Sequence, residues 1–125
     1  MSDSDDGVPL EPIGSSLNDL AAMPTEVRRA FGGALRMTQL GERPEDARPF
    51  GEGLPREIMK LVVRHDTDTY RMAFSWSLSG AVYLLDVFKK KSTSGRATPT
   101  RDLRRVGSRW ETAQAHHQRY YGNRR

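Results

Sequence analysis

A chain of 125 residues is enough for one domain, and its 36% apolar content suffices for one modest core. It has no cysteine, which excludes disulfides and thiolate metal sites, and no apolar run approaches the about 18 residues of a membrane span. The net charge of +4 is unevenly spread: residues 1–26 hold six acids and no Lys or Arg, whereas residues 27–125 hold all 20 basic residues against ten acids. A basic body suits a polyanionic partner such as nucleic acid. The acidic start does not resemble a secretory signal, so the expectation is a cytoplasmic protein that contacts no membrane.

Residues 1–7, "MSDSDDG", predict a disordered acidic tail, and a single domain is expected over 8–120. "VPLEPIG" predicts a short N-terminal edge strand, because Pro9 and Pro12 lack the amide donors a central strand needs. "SSLNDLAAM" predicts a short helix capped by Ser15 or Ser16. A second helix follows from Pro24, with Val27, Phe31, Ala34, Leu35 and Thr38 at the 3.6-residue period. "ERPEDARPFGEGLP" reads as a Pro/Gly-rich loop.

Three strand-like runs come next: "REIMKLVVRH", "TYRMAFSWSL" and "AVYLLDVF". In the second, Tyr70, Met72, Phe74, Trp76 and Leu78 share one face, and Thr69, Arg71, Ala73, Ser75 and Ser77 the other. Tight connections make the three runs an antiparallel meander. A C-terminal helix is expected with Thr98 as N-cap and Pro99 at its first position, its apolar face carrying Leu103, Val106, Trp110 and Ala113. Residues 121–125 predict a frayed end. The fold class is therefore α+β: a small, mostly antiparallel sheet with two N-terminal helices and one C-terminal helix.

A Thr67-Asp68 turn would pair Arg64 with Arg71 on the polar face of the meander. A Ser79-Gly80 turn would bring Lys90 to the same face beside Thr69, with Asp86 near enough to hold Arg71. Like charges facing one another across two strands are unfavourable unless they share an anion, and guanidinium forks suit phosphate. His116 and His117 are adjacent on a helix and do not face one ligand; no metal site or cofactor motif is evident.

The segments "PLEPIGSSLNDL", "MPTEVRRAFGGALRMTQLG", "DTDTYR", "AVYLLDVFKKKS" and "GRATPTRDL", in that order, resemble the RelE/HigB-like toxin superfamily, in particular phage-derived HigB-type toxins of type II toxin–antitoxin systems. The resemblance is most specific at Tyr70-Arg71 and in the run Phe88-x-Lys90-Lys91-Ser92, followed by Gly95 and Thr98-Pro99. It implies a RelE-like fold and an endoribonuclease that cleaves mRNA, often in the ribosomal A site, by attack of the 2′-OH on the adjacent phosphate. It also implies a separate helix-turn-helix antitoxin. The site residues expected are Arg64 and Arg71 as a clamp on the scissile phosphate and Lys90 or Lys91 as charge stabiliser or proton donor, with the base unassigned. Lys89, Arg96, Arg101, Arg104 and Arg105 are expected to contact the RNA backbone. Many relatives carry Glu-Leu-Arg in the first meander strand; Lys60-Leu61-Val62 stands there in this chain, and Arg64 lies two residues further along the same face. The alternative functions are a non-catalytic toxin acting on DNA gyrase or another protein, or a module that only binds nucleic acid or its antitoxin.

Overall fold

The computed structural model describes residues 7–90 and 97–122. The elements run β1 (Leu10–Pro12), α1 (Ser16–Ala21), α2 (Thr25–Gln39), β2 (Arg48–Pro49), β3 (Met59–His65), β4 (Asp68–Ser75), β5 (Val82–Lys90) and α3 (Thr100–Tyr120). The strands form one sheet in the order β1-β5-β4-β3-β2. β1 runs parallel to β5, and every other pair is antiparallel. The α+β fold with three helices follows the expectation, and β2 is an addition to it.

Each face of the sheet has its own core. The α2 stripe of Val27, Phe31, Ala34 and Leu35 meets Leu61, Met72, Phe74 and Val87 on one face. Val106, Trp110 and Ala113 of α3 meet Phe50, Ala73, Leu85 and Phe88 on the other. Cover on both faces explains why β4 is buried from Tyr70 to Ser75. Burying a side chain such as Phe31, which is 0% exposed, contributes about 1.5–3 kcal/mol. A bulge between Ala73 and Phe74 leaves Leu85 unmatched, since Ala73 faces Asp86 and Phe74 faces Leu84. The shift turns both Leu85 and Phe88 toward α3.

The first hairpin differs from its predicted register. It turns at Asp66-Thr67, not Thr67-Asp68, so Arg64 faces Thr69 and Arg71 faces Val62. Asp66 takes a left-handed φ of 56°, a conformation that Asp tolerates better than Thr. The slip is two residues, so each side chain keeps its predicted face. The second hairpin pairs Arg71 with Phe88 and Thr69 with Lys90 as expected, although its ladder closes at Ser75–Tyr83 and the connection is longer than the two-residue turn. α3 begins at Thr100 with Pro99 as N-cap, one residue later than predicted. The Pro99 carbonyl accepts from the amides of Asp102 and Leu103 at 2.9 and 3.1 Å. Residues 1–6 of the predicted tail and 123–125 of the predicted frayed end lie outside the described residues. Tyr121, where that frayed end was expected to begin, donates its hydroxyl to Glu11 Oε2 at 2.6 Å and stacks on His117.

Candidate functional site

On the α3 face of the sheet, the strands present a row of cations beside the start of α3. β4 supplies Arg71, and β3 supplies Lys60 and Arg64 at alternate positions around Val62. Arg71 is 6% exposed. Its Nη1 donates to Thr98 Oγ1 and lies 3.9 Å from Glu52 Oε2. Thr98 in turn donates twice to Glu52, from its amide to Oε1 and from its hydroxyl to Oε2, each at 2.8 Å. Lys60 Nζ is 3.9 Å from the same Oε2 and lies over the Phe50 ring, 5.1 Å from its centroid.

The local sequence explains this convergence. Phe50 is 2% exposed and anchors the loop after β2 in the α3-side core. Gly51, Glu52 and Gly53 then take φ values of 76°, 55° and 86°, all left-handed. Two flanking glycines make this turn affordable, and it swings the Glu52 carboxylate back over the cations. Thr98, whose hydroxyl engages Glu52 and Arg71, does not cap α3.

The electrostatics follow from crowding. Burial, and then the neighbouring Arg71, hold the Lys60 ammonium below the ordinary lysine range against the opposing pull of Glu52. Burial likewise lowers Arg71, while Glu52 works to raise it. For Glu52, burial acts upward but is outweighed by the two Thr98 hydrogen bonds, Lys60 and Arg71, and the carboxyl ends below its usual value. The site therefore holds a carboxylate, a guanidinium and an amine whose proton is loosened.

The predicted site residues divide into several groups. Arg64 is exposed on the face of Arg71, and Lys90 is buried opposite Thr69 on that face. Lys91 and Arg96 lie outside the described residues. Lys89 is exposed and reaches Asp68 at 3.6 Å. Arg101 and Arg104 are exposed on α3, and Arg104 lines a shallow groove with Pro55, Glu57 and Trp110. Arg105 turns inward: its Nε donates to Asp86 at 2.7 Å and its Nη2 to Asp102 at 2.7 Å. Asp86, expected beside Arg71, faces Ala73 across the ladder and also accepts from Arg109 Nη1 at 3.2 Å. Burial pushes the Asp86 carboxyl up, with both arginines pulling against it. Burial also lowers Arg105, but its carboxylate partners outweigh it and lift the guanidinium.

Sequence reasoning missed Lys60, Glu52 and Thr98 as members of the site. Lys60 was within reach, because it shares parity with Arg64 in any register that keeps the faces. Glu52 had only a Gly-Glu-Gly signal in a loop. A second polar cluster lies among Glu11, Tyr83, His116 and Tyr121, with His116 Nδ1 2.7 Å from the Tyr83 hydroxyl. Burial, with help from Glu11 and Tyr121, pushes the Tyr83 phenol up to about 12. Among the described residues, no group of three His, Asp or Glu could hold a metal ion, and no helix is long and apolar enough to cross a membrane.

Neither the curated proteins nor the solved structures compared with the chain contain a match. A protein-family model described as Phage derived protein Gp49-like (DUF891) matches residues 18–111. That span runs from α1 to the middle of α3 and takes in Glu52, Lys60, Arg64, Arg71, Lys90 and Thr98. The chain therefore belongs to the phage-derived Gp49-like family, within the RelE/HigB-like toxin superfamily of toxin–antitoxin systems.

Proposed function

We propose that this chain is the toxin of a HigB-type toxin–antitoxin pair and that it cleaves mRNA on the α3 face of its sheet. The observation that carries this reading is the pairing of buried Arg71 with partly buried Lys60, flanked on the same face by Arg64 and Lys90. Cleavage by the neighbouring 2′-OH asks for little covalent chemistry from the protein. It needs positive charge where the phosphorane builds negative charge, one proton acceptor and one proton donor.

Arg71 stabilises the phosphorane, and Arg64 holds the phosphate or its neighbour in the strand. Lys60, its ammonium destabilised by burial and Arg71, accepts the 2′-OH proton from its neutral form. The 2′-oxygen bonds to phosphorus, the P–O5′ bond breaks, and Lys90 or Lys91 gives a proton to the departing 5′-oxygen. The products are a 2′,3′-cyclic phosphate and a 5′-hydroxyl. Lys89, Arg101 and Arg104 offer exposed charge to the RNA backbone. The partners are mRNA, presented by the ribosome, and a helix-turn-helix antitoxin whose acidic segment covers this face.

The test is transcriptome-wide mapping of new 5′ ends minutes after controlled induction, with an Arg71→Ala, Lys90→Ala double variant beside the parent. New ends within coding regions that vanish in the variant are expected, and their codon phase reports ribosome dependence. Growth arrest without new ends would overturn the ribonuclease reading in favour of a protein target such as DNA gyrase.

A further inference from the structure

We propose that the Glu52 carboxylate occupies an oxyanion subsite built by Thr98, Arg71 and Lys60, and that a phosphate oxyanion of the substrate binds there by displacing it. The identity of the incoming anion as an RNA phosphate rests on the ribonuclease reading; the subsite itself rests on geometry.

Four groups surround this one carboxylate. The Thr98 amide and hydroxyl each donate to a different oxygen at 2.8 Å. Arg71 Nη1 and Lys60 Nζ both stand 3.9 Å from Oε2. The amide and hydroxyl of Thr98, the Arg71 guanidinium and the protonated Lys60 ammonium form a donor set suited to the non-bridging oxygens of a phosphodiester. Glu52 thus sits where the negative charge of the substrate would be best received, and while it sits there Arg71 is 6% exposed.

The loop is built to release it. Glu52 adopts a φ of 55° between two left-handed glycines, a conformation rarely adopted by an L side chain. The turn is therefore held by what the carboxylate touches and not by its own backbone preference. Nothing lies within 4 Å of where a Cβ on Gly51 or Gly53 would stand, so neither glycine is packed in place. The Glu52 side chain is 26% exposed and has water to swing into. Exchange of one anion for another also keeps the Arg71 guanidinium compensated. The lowered pKa of Glu52 fits a carboxylate held ionised by these same donors.

The experiment titrates inorganic phosphate into the full chain and follows the Thr98 amide by NMR, in the parent, in Glu52→Gln and in Glu52→Asp. Gln removes the competing charge, and Asp keeps the charge in the loop while withdrawing it by one methylene. Phosphate should move the Thr98 amide in the parent, and both variants should bind phosphate about tenfold more tightly, the equivalent of about 1.4 kcal/mol. Equal or weaker binding in the variants, or phosphate binding that leaves the Thr98 amide unmoved, would overturn the subsite. RNA cleavage by the parent is measured separately. Tightened phosphate binding without cleavage would retain the subsite and remove the ribonuclease reading, whereas cleavage without tightening would do the reverse.

Discussion

The Asp86 carboxylate is 1% exposed and joins β5 to α3 through two guanidiniums, so Asp86→Ala measures how firmly the helix that leads from Thr98 is fixed to the sheet. Breaking a buried ion pair from one side costs about 3–5 kcal/mol, because the remaining charge is left uncompensated. Here neither arginine is stranded. Arg105 keeps Asp102 at 2.7 Å, and Arg109 keeps the Leu85 carbonyl at 2.9 Å and the Ser15 hydroxyl at 3.0 Å. The Arg105 side chain is also 34% exposed, so water reaches it. These partners place the expected loss at the lower end, about 3 kcal/mol. At about 3–5 °C per kcal/mol for a chain of this size, the melting midpoint should fall by about 9–15 °C. Urea unfolding followed by tryptophan fluorescence and by circular dichroism gives the free energy, and coincident transitions justify the two-state treatment. A loss under about 1 kcal/mol, within the ordinary range for point substitutions, would refute the claim that this pair fixes α3.

Arg104 and Arg105, adjacent in sequence, should separate in behaviour. Arg104→Ala should leave stability within about 0.5 kcal/mol while lowering RNA affinity and the salt slope by about one unit. Arg105→Ala should cost about 2–3 kcal/mol in urea unfolding, since it leaves Asp86 with Arg109 alone among its two arginine partners. Cleavage should also depend on pH through Lys60. Its pKa is lowered, so the neutral base form gains population at lower pH than for an ordinary lysine, and the rate should rise with pH and level off below 10.5. Lys60→Met should flatten that rise; an unchanged profile would assign the base elsewhere.

The alternation from Tyr70 to Trp76 made the two faces of the sheet legible in the sequence, and the Ser79-Gly80 reading brought Lys90 beside Thr69; Leu78, beyond the end of β4, packs on the opposite core from the one its parity predicted. The first hairpin shows the limit of that signal. Turns at Thr67-Asp68 and at Asp66-Thr67 differ by two residues in pairing, so both satisfy the same hydrophobic pattern. Only the left-handed tolerance of Asp66 separates them. β2 is two residues long and ends in Pro49, too short for periodicity to register. Part of the site was illegible for a different reason. Glu52 meets Thr98 across 46 residues of sequence, through three successive left-handed residues that no local pattern announces. Arg105 has the spacing of an exposed arginine, and its inward turn depends on Asp86 from another element.

The bond from Tyr121 to Glu11 spans 110 positions of sequence, and β1 joins the sheet beside β5, the last strand to be made. Such distant contacts close late, after the entropy of a long loop has been met. On the ribosome, the segment around Glu11 emerges early and waits for nearly the whole domain before both of its partners exist. A nascent chain halted before Tyr121 has the 4.0 Å approach of His116 to Glu11 but lacks the 2.6 Å hydrogen bond, so the residue that follows α3 tightens the closure of the domain.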